Sequence, residues 1–250
     1  MLHEKAIFYP AGDRSIVMEF GDSIDPEINA RIRSMARALE QSEDLMIQEI
    51  IPTYRSIQIF YSPLDIDVSE LTSKLRLIEQ SLPEDTGADY RIVEIPTIYG
   101  GEYGPDLEYV AEHNGLSPEE VIKIHTHTDY LLYMLGFTPG FSYLGGMSDA
   151  IATPRLQQPR VKIPAGSVGI AGAQTGVYPI DSPGGWQLIG RTPLRMYDPL
   201  ADIPVLLKAG DYVRFKVIQQ AEYDDISRAV DEGTYRVHIM QGGELRHGID

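Results

Sequence analysis

The residues best suited to chemistry lie in the middle of the chain, where aromatic, glycine and cationic residues are concentrated. The run Gly136–Gly146 places aromatic side chains between glycine, proline and small residues, which excludes a regular helix. Glycine at this density lets a backbone approach a ligand closely. We interpret the run as one wall of a binding pocket, or as a tight barrel corner whose aromatic side chains fill the interior. Its candidate binding residues are Phe137, Pro139, Phe141 and Tyr143.

A group of basic residues comes next in the sequence. Arg155, Arg160 and Lys162 stand close together in a chain that is acidic overall. Arginine can hold a carboxylate or phosphate through two parallel hydrogen bonds, whereas lysine acts as a point charge. Arg155 and Arg160 are therefore candidates for binding a small anionic substrate or an acidic patch of a partner. A solvated basic loop is the alternative.

Further candidates are neutral hydrogen-bonding groups and the only tryptophan. Gln174, Thr175 and Tyr178 offer groups suited to an amide or lactam. Trp186 follows two glycines, and Arg191 comes five residues later. This combination predicts a pocket wall with a cation near its mouth, unless Trp186 simply plugs a barrel.

These observations lead to two predictions. The segment Gly136–Arg191 lines one contiguous concave site, and Arg160 and Arg191 bind a carboxylate or a phosphate there. The structural alternative is that Arg191 only ties down its own loop.

Two histidines, His125 and His127, stand two positions apart. They would share a face if the segment were extended, and could then form half of a metal site or supply a general base. No third ligand stands at a recognisable spacing. The alternative is a histidine at a helix end beside a surface histidine, so no metal site is predicted.

Several catalytic classes lack their motifs here. The sequence has no G-x-x-x-x-G-K-[ST] phosphate loop, no G-x-S-x-G elbow and no H-E-x-x-H helix. It has no cysteine, which excludes thiolate catalysis, disulfides and cysteine-ligated metals. The catalytic residues therefore stay unassigned.

Composition narrows the range of partners. Among 250 residues, 37 are acidic and 21 basic, a net charge of −16. Such a charge disfavours nucleic acid, because binding to phosphate backbones depends mainly on lysine and arginine. Neither a signal-peptide pattern nor a long apolar run is present, so we expect a cytoplasmic protein with no membrane partner.

The pattern of elements predicts two domains. Residues 1–86 read as strand, strand, helix, strand, strand, helix, which indicates a small α+β sandwich. Its helices are expected from Asp25 to about Gln41 and from about Asp67 to Leu82. Pro83–Gly87 has the composition of a linker.

Residues 87–250 carry many short strands broken by glycine and proline, after two short helices at Pro105–Glu112 and Pro118–His125. This texture is typical of a β-barrel or sandwich. A helix at Asp224–Asp231 and a late strand at Thr234–Ile239 are also expected. The pattern of elements alone predicts an α+β amino-terminal domain followed by a mainly-β barrel or sandwich.

The central motifs resemble a known family. In order they are GFTPGFSYLGG, TPR, PR, PAGSVGIAG, QTGVYP, SPGGW and IGRTP, followed by Asp198-Pro199. Together they resemble the family that contains the B component of 5-oxoprolinase and the kinase inhibitor KipI, also called allophanate hydrolase subunit 1. The resemblance implies a cyclophilin-like barrel in the carboxy-terminal domain, without implying prolyl isomerase activity.

The resemblance also implies partners and a reaction. Members of the family pair with a homologous barrel protein, the C component, and act with a third protein, the A component. Together these open 5-oxoproline to glutamate with hydrolysis of ATP. ATP with its Mg²⁺ is then a requirement of the assembled complex, and this chain alone is expected to be inactive. Two alternatives follow from the same family: inhibition of a sensor histidine kinase, or one half of a biotin-dependent carboxyltransferase, as in urea carboxylase.

Overall fold

The computed structural model describes residues 1–42, 45–82 and 90–247. The chain divides into two compact units, Met1–Asp89 and Tyr90–Asp250. The predicted linker Pro83–Gly87 and the predicted boundary between residues 86 and 87 lie outside the described residues.

The first unit contains a four-stranded sheet and two helices. The strands pair antiparallel in the order β1-β2-β4-β3. The elements are β1 (Leu2–Pro10), β2 (Ser15–Gly21), α1 (Pro26–Glu40), β3 (Ile47–Pro52), β4 (Ser56–Tyr61) and α2 (Val68–Ser81).

Capping and burial explain the two helices. The Asp25 and Asp67 carboxylates each accept a hydrogen bond from a first-turn amide, which satisfies a donor that the helix itself leaves free. Ile32 on α1 and Leu75 on α2 are buried in one hydrophobic core with Ile59 on β4. Along β4 buried residues alternate with partly exposed ones, so one face of the sheet meets this core.

The second unit contains the remaining elements. They are β5 (Arg91–Tyr99), α3 (Leu107–Asn114), α4 (Pro118–His127), β6 (Asp129–Leu135), β7 (Ser142–Gly145), β8 (Arg160–Ile163), β9 (Ser167–Ala171), β10 (Gln174–Val177), β11 (Ser182–Gly184), β12 (Gln187–Arg191), β13 (Tyr212–Val217), α5 (Gln220–Asp231) and β14 (Ile239–Gln241).

The long sheet of this unit curls into a nearly closed barrel. Its strands follow the order β10-β9-β12-β5-β13-β6-β7, with β14 added beside β5, while β8 and β11 form a separate two-stranded ribbon. The two end strands, β7 and β10, lie next to each other. Strands β5 and β13 run parallel, and the other pairs are antiparallel. The prediction of a mainly-β barrel is confirmed.

Two helices cover the barrel core. Val110 on α3 and Val121 on α4 are fully buried in the same cluster as the barrel residues Tyr130 and Phe215. Helix α4 begins with a capping box, in which Ser117 and Glu120 each accept a hydrogen bond from the other's backbone amide. This cap and this packing fix the position of His125, near the end of α4.

The late strand differs from its prediction. Instead of Thr234–Ile239, β14 spans Ile239–Gln241. The amides of Thr234 and Tyr235 donate to the Ala229 carbonyl at the end of α5. These residues therefore finish the helix and are not available to the sheet.

Candidate functional site

The barrel wall carries a separate group of buried side chains on each face. The main core contains Ile170 and Ile189, whereas Ala171 and Leu188, one position away, belong to a smaller cluster. Successive strand residues point to opposite faces, so the smaller cluster lies on the outer face of the wall. Trp186 belongs to this outer cluster. The alternative in which Trp186 plugs the barrel is therefore wrong.

An open pocket of about 400 Å³ adjoins this outer cluster. Such a volume lies in the range of roughly 300–1,000 Å³ that is usual for small-molecule sites. The lining residues named by the sequence analysis are Phe137, Phe141, Tyr143, Arg155, Tyr178 and Trp186. The others are Leu156, Pro159, Pro183, Gly184 and Gly185.

Phe141 is the centre of the aromatic cluster. Its ring centroid lies 5.2 Å from that of Tyr143, 5.6 Å from Trp186 and 5.7 Å from Tyr178. All three contacts are edge-to-face, an arrangement favoured by the quadrupoles of aromatic rings. The pocket wall is therefore held in place by its own packing.

Glycines make room for two of these rings. A Cβ atom on Gly176 would lie 3.2 Å from the Trp186 indole, and one on Gly184 would clash with the Tyr178 hydroxyl. A side chain at Gly184 would thus be excluded unless its neighbours moved, and one at Gly176 would require a shift of a few tenths of an ångström. This explains glycine at these two positions without reference to a ligand.

Phe137, at the pocket mouth, has a strained backbone. Its φ is +62°, and the Thr138 amide donates to the Gly136 carbonyl at 2.7 Å, which closes a γ-turn around it. The side chain is 70% exposed. A large residue in the left-handed region costs roughly 1–2 kcal/mol. The turn thus holds the aromatic ring outward, and its backbone strain lowers the free energy of unfolding.

The basic residues near the pocket differ in whether they already have partners. Arg160 donates to the Asp106 carboxylate at 2.7 Å and to the Trp186 carbonyl at 3.3 Å. Lys162 pairs with Asp181 at 2.8 Å. Arg155 is exposed, lines the pocket and makes no ion pair within the described part of the chain.

Three other candidates are not among the residues that line this pocket. The Arg191 guanidinium lies over the Tyr103 ring, 5.5 Å from its centroid. Gln174 begins β10 opposite Ala171, and Pro139 lines a different shallow depression. The prediction of one contiguous concave site from Gly136 to Arg191 is therefore too broad, since the pocket uses only some of these residues.

His125 and Thr175 lie inside the barrel, apart from the pocket. The Nδ1 atom of His125 lies 2.8 Å from the Tyr99 hydroxyl, and its Nε2 atom lies 2.8 Å from the Thr175 hydroxyl. The Thr175 hydroxyl donates in turn to the Gly169 carbonyl at 3.1 Å. We call these three side chains, Tyr99, His125 and Thr175, the interior chain.

The protonation state of His125 follows from this chain. Thr175 gives its proton to Gly169, so Nε2 of His125 is the donor to Thr175 and Nδ1 accepts from Tyr99. Burial lowers the pKa of His125 to about 3, which keeps the imidazole neutral. With both nitrogens already hydrogen-bonded, His125 has no free atom for a metal or a proton transfer.

His127 is not part of the same group. Both histidines lie on α4, where residues two apart are separated by about 200° around the axis. His125 is buried, whereas His127 is exposed. The condition for a shared histidine site, an extended segment, is not met. Across the described residues no group of three or more metal-ligating side chains is arranged around a metal position.

Asp106 was not predicted from the sequence, yet it holds Arg160, which also donates to the carbonyl of the pocket residue Trp186. Asp106 precedes α3 but does not cap it, because its carboxylate accepts from Arg160 and from the Leu188 amide. Locally it looks like an ordinary residue before a helix. Only a partner 54 positions away shows its role, so no local signal could have found it.

No helix within the described residues has both the length and the apolar character needed to cross a membrane.

Comparison with known protein families shows the family to which this chain belongs. The family described as carboxyltransferase domain, subdomain C and D, matches residues 6–207. The chain belongs to this family. The resemblance to the family of KipI and the B component of 5-oxoprolinase, drawn from the central motifs, is confirmed.

Individual relatives agree with this assignment. The chain is 49% identical over 222 residues to a Bacillus subtilis protein that is named as the B component of 5-oxoprolinase, covering 85% of this chain and 92% of that one. It is 49% identical to a conserved uncharacterized protein from Pyrococcus horikoshii whose crystal structure covers 87% of this chain and all of its own, with a TM-score of 0.52. The Kluyveromyces lactis urea carboxylase shares the fold, with 22% identity, a TM-score of 0.76, and coverage of 97% of this chain and 25% of that one.

Proposed function

We propose that this chain is the B component of an ATP-dependent 5-oxoprolinase, which acts with the A and C components in the cytoplasm and hydrolyses 5-oxo-L-proline to L-glutamate. The observation that carries the proposal is the 49% identity over 92% of a relative with that name. The pocket supports it, because it combines aromatic walls with a cation that has no ion-pair partner among the described residues. A small anionic ring compound is the kind of ligand that such a pocket can take.

The reaction explains why partner proteins are needed. A lactam is a stabilised amide, and opening its ring requires that water add to the carbonyl carbon and that the carbon–nitrogen bond break. Phosphorylation of the carbonyl oxygen by ATP would make that carbon more electrophilic. The sequence has no phosphate loop, so we propose that ATP and its Mg²⁺ are held with the help of the partners.

The contribution of this chain would be binding and orientation. Both ring nitrogens of its buried histidine are hydrogen-bonded. Among the described residues that line the pocket, there is no nucleophile with an adjacent base. We therefore propose a composite site in which this chain supplies part of the substrate pocket and the chemistry needs the whole complex. The isolated chain should show no measurable turnover.

The test is reconstitution. The chain is co-expressed with its candidate A and C components, the complex is purified, and glutamate release from 5-oxo-L-proline is measured with and without ATP. We expect ATP-dependent glutamate release from the complete complex and none when any one component is left out. An inactive complex would contradict the proposed hydrolase, and robust turnover by this chain alone would contradict the composite site.

The same preparation separates the two other functions of the family. Biotin-dependent carboxyl transfer by the complex, without glutamate release, would indicate a carboxyltransferase. Inhibition of histidine kinase autophosphorylation by the single chain, together with an inactive complex, would indicate a kinase inhibitor.

A further inference from the structure

The pocket beside the outer cluster contains one cation whose charge is not already neutralised by a carboxylate of the described residues. Arg160 is bound by Asp106, and Lys162 is paired with Asp181 and does not line the pocket. Arg155 lines the pocket and has no ion pair within the described residues. In a protein of net charge −16, such a local positive charge favours the binding of an anion.

The aromatic wall suits a small flat ring. Phe141 and Trp186 meet edge to face at 5.6 Å and stay in place without a ligand. Leu156 and Pro183 complete a largely apolar lining. Ordered aromatic side chains lose little conformational entropy when a ring packs on them, so binding energy is retained.

Tyr178 supplies a neutral hydrogen-bond donor to the same pocket. Burial raises the pKa of Tyr178, although a hydrogen bond from the Trp186 backbone and the nearby charge of Arg155 oppose this rise. The hydroxyl therefore stays protonated at neutral pH. A protonated phenol can donate to a carbonyl oxygen.

We infer that this pocket binds 5-oxo-L-proline, with Arg155 holding the carboxylate, the aromatic wall packing on the ring, and Tyr178 donating to the lactam carbonyl. The inference rests on the proposed function, whose substrate it places in this chain. Of the three arginines that the sequence offered for an anion, it assigns the carboxylate to Arg155 and not to Arg160 or Arg191. Arg155 is then a specificity-determining residue that distinguishes the amino-acid lactam from an uncharged one.

The primary experiment uses the assembled complex. Arg155→Met removes the charge and keeps an apolar side chain, and Arg228→Met is the matched control with the same change in net charge. Arg228 is exposed on α5, pairs with Asp225 at 3.2 Å and does not line the pocket. We expect the KM for 5-oxo-L-proline to rise about 10- to 150-fold in the Arg155 variant, the loss typical of a hydrogen bond to a charged group, and to stay unchanged in the control.

A conservative variant and a second ligand sharpen the result. Arg155→Lys should recover part of the lost affinity, because the ammonium keeps the charge but not the planar pair of donors. The lactam 2-pyrrolidinone has no carboxylate, so its weak competition should be the same in the wild-type and Arg155→Met complexes. Equal KM values for 5-oxo-L-proline in the wild-type and Arg155→Met complexes would overturn the inference and leave the proposed function standing.

Failure of the proposed function is recognised separately, by a wild-type complex without ATP-dependent glutamate release. The inference is then decided on the single chain, using the fluorescence of Trp186, the only tryptophan. A saturable response to 5-oxo-L-proline that Arg155→Met weakens and Arg228→Met does not would support the pocket assignment. No response, or an equal response in both variants, would overturn it.

Discussion

One strand, β10, separates two regions of opposite character. On its inner side, Thr175 belongs to the interior chain, where every polar atom of the His125 side chain has a partner. On its outer side, Gly176 lies against Trp186 beside an open pocket that Arg155 also lines. The inner region is closed and neutral, and the outer region is open and carries a cation without an ion pair among the described residues.

The difference shows why residue type alone does not identify a site. A histidine beside a threonine has the chemistry of a catalytic pair, yet here the two side chains satisfy each other's hydrogen bonds in the buried interior. Arg155 is exposed and has no ion pair among the described residues, although its type and spacing did not distinguish it from Arg160. It therefore has its hydrogen-bonding capacity available for a ligand.

The largest change in stability is expected from Thr175→Val, which removes a hydroxyl and keeps the shape of the side chain. The Nε2 proton of His125 would then be buried without an acceptor, so the free energy of unfolding should fall by about 2–3 kcal/mol. Urea unfolding followed by Trp186 fluorescence measures this in the second unit. The KM of the assembled complex for 5-oxo-L-proline should not change, since Thr175 does not line the pocket.

The control for this prediction is Thr126→Val on α4. The Thr126 hydroxyl bonds only to backbone carbonyls of its own helix, so its loss should change stability by no more than about 0.5 kcal/mol. A Thr175 variant as stable as this control would show that the interior chain does not stabilise the unit. Weaker substrate binding by that variant would show that the chain also affects the pocket.

A pH-dependent change in the free energy of unfolding, of intermediate size, is expected from His125. Its pKa is about 3 in the folded protein and about 6.5 when unfolded, so acid protonates the unfolded chain first. The stabilising contribution is fully present above pH 6.5 and is lost as the pH falls toward 3, at about 1.4 kcal/mol per pH unit. Between about pH 7 and pH 5 the wild type should therefore lose about 2 kcal/mol more than His125→Gln.

This comparison uses urea unfolding of both proteins at each pH, again followed by Trp186 fluorescence. Carboxylates that titrate in the same range contribute equally to both proteins and cancel in the difference. Parallel curves for the two proteins would show that His125 is not held neutral by burial.

The smallest change in stability is expected at Phe137, beside the pocket on the outer side of the barrel wall. Asparagine tolerates a positive φ better than alanine does, so Phe137→Asn should be about 1 kcal/mol more stable than Phe137→Ala. In a unit of this size that is a difference of about 2–4 °C in Tm. Thermal unfolding of the two variants checks it, and identical melting temperatures would mean that the turn carries no backbone strain.

The sequence by itself determined the local elements and the class of the second unit. The apolar spacing predicted the two helices of the first unit, which Asp25 and Asp67 cap, because capping and amphipathic periodicity act over a few neighbouring residues. The many short strands broken by glycine and proline indicated a barrel or a sandwich, and the family resemblance narrowed this to a barrel. The long central motifs were enough to identify the family.

Only the tertiary structure decided which candidate residues share a site. Arg155 and Arg160 look equivalent in sequence, and they differ because Asp106, from a distant loop, reaches one and not the other. Likewise, Thr175 and Tyr178 stand three positions apart but lie on opposite sides of the wall. Pairing across the barrel and the alternation of strand faces set these outcomes, and both depend on contacts between residues far apart in the chain.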